Sequence, residues 1–331
     1  MSTGIAGIGA CVPERVLTNF DLERMLNTGD EWIRSRSGIK ERRISSPDEA
    51  SSDLAVVAAG RALATAGVTP EEVDLIIVAT VTPDMSFPTT ACLVQERLGI
   101  KKAGAFDLAA GCAGFVYALA AGSQFISTGA CNTVLVIGVD TLTKFVNWED
   151  PGTCVLFGDG AGAAVLKPVP AGSGILAFRL RADGAGGTHV CLPAGGSRRP
   201  ATRETVDKKM HTIHMNGREV FKFAVRAMSE IAEEVLAAAG LERSDMDFFV
   251  PHQANLRIIE PVAKRLGLPM EKVLVNVDRY GNTSAASIPL ALEEAVCSGR
   301  VKHGDRIVMA GFGTGLTWGA VAMKWHDCRH G

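Results

Sequence analysis

The 331-residue sequence predicts two similar α/β halves, packed against each other with long helices between their sheets. Three observations predict it: segments recur at one fixed offset, strands alternate with helices, and the strands are continuous apolar runs. The recurrence is the most specific. Residues 52–80 read as a helix (DLAVVAAGRALATAG), a stop at Gly67 and a strand (DLIIVAT). Residues 219–252 read the same way, as EVFKFAVRAMSEIAEEVLAAAG, LERSDMD and FFVPH. Ala66-Gly67 matches Ala239-Gly240 and Asp74 matches Asp247, both at an offset of 173. That offset also carries VLVIGVD (134–140) onto IVMAGFG (307–313). GAAVLK (162–167) matches GAVAMK (319–324) at an offset of 157, because the first half holds a longer loop. A constant offset across separate elements signals internal duplication.

Alternating strands and helices imply right-handed βαβ units and a mainly parallel sheet in each half. Runs such as LIIVA and VLVIG suit sheets covered on both faces. The halves divide at 1–173 and 174–331, and a site near their pseudo-twofold axis draws residues from both.

Composition narrows the function classes. Hydrophobic residues at 47% and charged ones at 21% exclude disorder. A net charge of −2 leaves no overall basic field for nucleic acid. Residues 1–10 lack a charged start followed by a long apolar stretch, and no apolar run approaches the roughly 20 residues of a membrane span. A cytoplasmic protein is expected. The eight cysteines (Cys11, Cys92, Cys112, Cys131, Cys154, Cys191, Cys297 and Cys328) are scattered without a CxxC pair. Neither a disulfide framework nor a zinc site is expected, and most read as small buried hydrophobes.

Cys112 is the exception. In DLAAGCAGFVYALAAGSQFIS a buried strand ends at Gly111 and an apolar helix begins at about Cys112. A helix N-terminus offers free N–H groups and the positive end of the macrodipole, which favour thiolate and lower the thiol pKa. His252, in VPHQANLRII, follows an apolar strand and precedes a helix, so it projects into the crevice where α/β proteins bind ligands. Its counterpart in the first half is Ala79, so the scaffold does not require histidine there. Asn282, in DRYGNTSAASIPLALEEAV, reads first as a turn residue. The offset, however, places Ala285 opposite Cys112, so Cys112 and Asn282 occupy equivalent corners. GDGAGAA (158–164) lacks the spacing of a phosphate loop and leads into a strand. GFGTG (311–315) also runs between strands, where backbone N–H groups can approach a ligand and form an oxyanion hole.

With these residues in hand, the chain resembles the β-ketoacyl-acyl carrier protein synthase III family, the initiating condensing enzymes of bacterial type II fatty acid synthesis. The resemblance runs nearly end to end, through TGDEWIRSRSGIKERR, FPTTACLVQERLG, GCAGFVYAL, FGDGAGAAVL, VPHQANLRII, DRYGNTSAAS and GFGTGLTWG. It implies a thiolase-like fold with a layered α-β-α-β-α core, a homodimer, and the catalytic set Cys112, His252 and Asn282. Backbone N–H groups of Cys112 and Thr314 would form an oxyanion hole. Trp32, Arg36 and Gly152 would contact coenzyme A, Asn255 would line the pantetheine tunnel, and Phe87 would reach into the partner's acyl pocket. The implied reaction joins a short acyl-CoA primer to malonyl-acyl carrier protein, with no metal or further cofactor. Two departures from the family pattern stand out: Pro151 where some members have arginine, and Thr314 where glycine is frequent. The carrier is acidic, so a basic docking face is expected. Arg218, Lys222 and Arg226 share one helix face, with Arg257, Lys264 and Arg265 beyond the His252 strand. Lys222, Arg257 and Lys264 are the docking candidates. Alternatives are a condensing enzyme of secondary metabolism, of polyketide or quinolone type, using other thioesters; a Cys-His-Asn hydrolase; and a non-catalytic acyl-binding scaffold. The apolar setting of Cys112 disfavours hydrolysis, and the presence of all three reactive residues disfavours a scaffold.

Overall fold

The computed structural model describes residues 2–326, so Cys328 lies outside the described residues. Two sheets form the frame. The first has the strand order Ser2–Cys11, Asp159–Val169, Val134–Thr141, Leu75–Ala79, Gly104–Leu108. The second has the order Phe248–Pro251, Arg306–Gly313, Thr317–Lys324, Gly174–Ala182. Apart from two short two-stranded pairs, Val16–Thr18 with Glu41–Arg43 and Val190–Cys191 with His214–Met215, strands up to Val169 belong to the first sheet and those from Gly174 onward to the second.

Side-chain alternation builds the layers. In Leu75–Ala79 every residue is buried, but the two faces serve different cores. Leu75, Ile77 and Ala79 join the central core with Val134 and Val136. Ile76 and Val78 face outward with Leu135, Ile137 and Val139, against Leu54, Ala58, Ala62 and Leu63 of the helix Ser51–Ala66. The second sheet repeats this. Ile307, Met309, Val321 and Met323 turn inward, whereas Val308, Ala310, Ala320 and Ala322 pack on the 22-residue helix Gly217–Ala238. Between the sheets lie the helices Gly114–Ser127 and Ser287–Cys297, which supply Phe115, Leu119, Ile288 and Leu292 to the central core. The result is an α-β-α-β-α sandwich, and burial of each large apolar side chain contributes about 1.5–3 kcal/mol. Among the described residues no helix is long and apolar enough to cross a membrane.

The repeat extends to backbone detail. Gly67 and Gly240 end equivalent helices with φ of 63° and 69°. The turn Gly111–Ala113 before one central helix matches Ser284–Ala286 before the other. The expectation of mainly parallel sheets needs correction, because each sheet is mixed. Leu75–Ala79 is parallel to both neighbours, but Asp159–Val169 is antiparallel to its own. In the second sheet only Phe248–Pro251 and Arg306–Gly313 run parallel. The reason is connection length: the short link at 314–316 can join only antiparallel strands. A fifth strand is reduced in the second sheet to the bridge Phe249↔Val273.

The glycine run at 158–164 lies largely within Asp159–Val169 rather than in a turn before it. Close packing explains the residue type: a Cβ on Gly162 would lie 2.6 Å from Pro289 Cβ of the central helix. Gly138 is tighter still, since its Cβ would lie 2.3 Å from the Ala285 carbonyl oxygen. Gly60, in the helix Ser51–Ala66, has open space where a Cβ would go. Gly138→Ala should therefore cost about 1–3 kcal/mol through overpacking, whereas Gly60→Ala should gain up to about 1 kcal/mol from helix propensity. Urea unfolding of both variants checks the contrast; equal effects would contradict this packing.

Candidate active site

Cys112 lies within the tight turn Gly111–Ala113, and the α-helix proper starts at Gly114, half a turn later than the sequence suggests. Gly111 adopts φ of 54°, a region costly for any side chain. A Cβ at Gly111 would also meet Thr314 N at 2.5 Å, and one at Gly313 would meet Cys112 N at 2.4 Å. These glycines let the Cys112 turn and the Thr314 loop lie directly against each other. Thr317 Oγ1 secures the loop by donating to the Ala110 carbonyl at 2.7 Å.

The thiol opens onto a cavity of about 780 Å³ that His252, Asn282 and Thr314 also line. The walls around it are apolar, and burial pushes the thiol pKa up to about 12, with the Asp140 charge adding to the rise. The Ser284 hydroxyl and the residue's own N–H oppose that shift. The expected resting thiolate is thus corrected: loss of water outweighs the helix N-terminus, and the resting group is a thiol.

His252 follows the strand Phe248–Pro251, and its backbone N–H donates to the Ala310 carbonyl at 2.8 Å. Nδ1 lies 2.7 Å from Ser287 Oγ, which accepts from the Gln253 N–H at 3.3 Å. The Ser287 proton has no other acceptor among the described residues, so it donates to Nδ1 and leaves the ring proton on Nε2. Nε2 is buried without a partner among the described residues. Burial lowers the His252 pKa to about 3, so the ring is a neutral donor at physiological pH.

Asn282 is fixed by a complementary device. Its Oδ1 accepts from the Ser284 N–H at 2.9 Å, which leaves the Nδ2 protons for the cavity. Its backbone N–H donates to the Leu156 carbonyl at 2.8 Å, and its carbonyl accepts from Gly158 N at 3.0 Å. Gly281, at φ of 65°, makes the turn that brings it there.

Sequence reasoning missed the residues that hold this set. Gln253 is fully buried and ties the His252 strand to the Asn282 loop. Its Nε2 donates to the Pro251 and Leu274 carbonyls at 2.7 and 3.0 Å, and its Oε1 accepts from Asn276 N and Val277 N at 3.0 and 3.2 Å. Glu294 then latches the short helix Val277–Tyr280 through Arg279, at 2.9 Å from each terminal guanidinium nitrogen. Arg42 is buried and donates to the Leu17 and Val155 carbonyls at 3.1 and 2.7 Å, beneath the cavity wall. A single sequence carries no signal for it, because KERR reads as a solvated charge run.

The outer cavity holds most of the remaining candidates. Trp32 and Arg36 sit on the helix Asp30–Ser37 with the guanidinium 4.5 Å from the ring centroid. Gly152 and Asn255 also line the cavity. Both polar ends of Asn255 are engaged, Nδ2 with the Arg36 carbonyl at 3.1 Å and Oδ1 with Arg257 N at 2.9 Å. Lys222 and Arg257 border the cavity, whereas Lys264 is exposed farther along the helix Leu256–Leu266 and does not. Phe87 is 84% exposed and lies outside the cavity.

Comparison with known proteins places the chain in a family. The model for the 3-oxoacyl-[acyl-carrier-protein] synthase III C terminal matches residues 236–325, and that for 3-oxoacyl-[acyl-carrier-protein] synthase III matches residues 106–184. The β-ketoacyl-[acyl-carrier-protein] synthase III of Symbiobacterium thermophilum is 61% identical over 97% of this chain and 98% of its own. That of Desulfitobacterium hafniense is 60% identical over 98% of each. A crystal structure of the Thermus thermophilus enzyme matches with a TM-score of 0.91 and 50% identity, covering 98% of this chain and 100% of that one. The chain belongs to the β-ketoacyl-[acyl-carrier-protein] synthase III family, thiolase-fold condensing enzymes that transfer acyl groups to initiate fatty acid synthesis.

Proposed function

We propose that the chain condenses a short acyl-CoA primer with malonyl-acyl carrier protein through a thioester on Cys112. The observation that carries this reading is the orientation of three groups in one cavity: a thiol, an imidazole whose Nδ1 is engaged by Ser287 while Nε2 is left for the cavity, and an amide whose Oδ1 is engaged by Ser284 N. Cys112 sulfur attacks the primer thioester, and the thiol proton leaves with the CoA thiolate, which balances the transfer. Malonyl-carrier then loses carbon dioxide. His252 Nε2–H and Asn282 Nδ2–H donate to the thioester oxygen as the enolate forms, in a site dry enough to strengthen both bonds. The enolate carbon attacks the acyl-cysteine, the new oxyanion faces the N–H groups of Cys112 and Thr314, and its collapse breaks the C–S bond, releasing the ketoacyl-carrier and a Cys112 thiolate that regains a proton from water.

The outer cavity supports the substrate assignment. Arg36 stacked on Trp32 offers a flat cationic platform for a nucleotide. Gly152 N–H is held by Asp150 at 2.9 Å, and Pro151 beside it supplies no charge, so Arg36 carries more of the phosphate contact. Asn255 is held in place by its bonds to the Arg36 carbonyl and Arg257 N, and keeps a second Nδ2 proton that can face the pantetheine path. Lys222 and Arg257 at the mouth suit an acidic carrier, with Lys264 extending that face. The Lys222–Glu219 pair at 2.9 Å is exposed and worth little, so the lysine can be recruited. Exposed Phe87 and Met85 form an apolar loop that suits a homodimer contact feeding the partner's acyl pocket. We place the protein in the cytoplasm and assign it no cofactor beyond its CoA thioesters.

Incubation with short acyl-CoAs should add one acyl mass to the native protein and none to Cys112→Ser; adducts on the variant would refute the nucleophile. His252→Ala and Asn282→Ala should each keep acylation within a few-fold while condensation falls about 10²–10³-fold. With the His252 pKa near 3, decarboxylation should show no acid limb from this residue between about pH 5 and 8. Because the folded-state pKa lies below the ordinary value of 6.5, the neutral ring's contribution to stability is complete above 6.5 and declines as pH falls toward 3. Lys222→Glu combined with Arg257→Glu should raise the KM for malonyl-carrier about tenfold at low salt, an effect that shrinks at high salt. An unchanged KM at low salt would remove the docking assignment.

A further inference from the structure

The duplicated turns differ at one position in a way the backbone does not require. Gly111 opens the turn before Cys112, and Ser284, its equivalent at the offset of 173, opens the turn before Ala285. Their conformations agree, with φ of 54° and 50°. Glycine adopts this region freely, whereas serine in it is strained. The backbone of the second turn would thus be better served by glycine, and what serine adds is its side chain. Ser284 is 1% exposed, and its Oγ is buried without a hydrogen-bond partner among the described residues. An uncommitted buried hydroxyl is costly to the folded state, so its presence calls for a role that offsets the cost.

Its surroundings indicate that role. On one side is the Asp140 carboxylate, fully buried. Its Oδ1 accepts from Thr80 Oγ1, Val81 N, Thr82 N and Thr82 Oγ1 at 2.8–3.1 Å, while Oδ2 accepts from Ala285 N at 3.2 Å. On the other side the Ser284–Ala286 turn packs against the Gly111–Ala113 turn that carries the Cys112 thiol. The Ser284 hydroxyl acts to lower the pKa of both groups, while the Asp140 charge raises that of the thiol. His252 is neutral and adds no charge to this cluster.

We propose that Ser284 is a positioning residue for the nucleophile, whose hydroxyl donates to the Cys112 sulfur as negative charge develops there and stands between that sulfur and the Asp140 carboxylate. No bond to hydrogen is broken in this role; the thiol proton still leaves with the CoA thiolate. The hydroxyl has one proton and can serve one acceptor at a time, so its donation to sulfur is gained only when the sulfur becomes the stronger acceptor. The idea rests on Cys112 being the nucleophile, as proposed above.

Ser284→Gly separates the two contributions, because it removes the hydroxyl and relieves the strain together. Alkylation of Cys112 by iodoacetamide, located by peptide mass spectrometry and followed from pH 6 to 9, reads the thiolate without any substrate. The variant should melt at or above the parental temperature yet alkylate about tenfold more slowly, the equivalent of one pKa unit. Ser284→Ala should lose the same rate without the gain in melting temperature. The KM for acyl-CoA should stay near parental while the acylation rate falls. Parental alkylation in Ser284→Gly, or slowing only in variants that melt lower, would overturn the proposal. If the parent alkylates at Cys112 but acyl-CoA leaves no adduct there, the proposed reaction fails while the comparison of alkylation rates still decides the role of Ser284.

Discussion

The molecule depends on a contact between bare backbones at its centre. The strand end at 311–313 lies directly on the Cys112 turn, and Gly138 admits the Ala285 carbonyl of the opposite turn; a Cβ at Gly313 or Gly138 would come within about 2.4 Å of those atoms. Side chains there would separate the sheets from the inter-sheet helices. Their absence sets the helix positions, and the helix positions set where Cys112 and Asn282 stand. Fold and site are therefore the same constraint seen at two scales.

Dryness at that centre decides the charge states. The thiol and the imidazole both rest neutral because burial outweighs every nearby stabilising group. Neutrality suits the proposed reaction, in which the imidazole acts as a hydrogen-bond donor to an enolate oxygen and not as a cation. Orientation then comes from groups that never meet substrate. Ser287 fixes the tautomer of His252, and Ser284 N fixes the amide of Asn282. Gln253, with four bonds to backbone, keeps the two loops in register. The buried carboxylates Asp140 and Asp159 are surrounded by hydrogen-bond donors, as their burial demands, and buried Arg42 donates to backbone carbonyls.

Outside the cavity the balance reverses. Trp32, Arg36, Lys222 and Arg257 border the mouth, where water screens charge and contacts are weak singly. In the proposed docking, a large carrier at this mouth would be held loosely and released, while the reacting atoms are held rigidly within. Basic residues at the mouth are compatible with a net charge of −2, because a docking face is a local property.

By itself the sequence determined the duplication, the strand and helix alternation, and the corners at which Cys112, His252 and Asn282 stand. Those features are written in local periodicity and in one offset, which need no knowledge of the fold. It misread the sheets as mainly parallel, since pairing direction at 306–324 follows from a three-residue link whose strand ends were not marked. It also misread the thiol as ionised, because a helix N-terminus is visible in sequence and the apolar walls around it are not. Gln253, Ser284, Asp140 and Arg42 escaped notice for the same reason. Each acts across a distance in the chain that only packing closes, and hydrogen-bond partners and loss of water are properties of that packing.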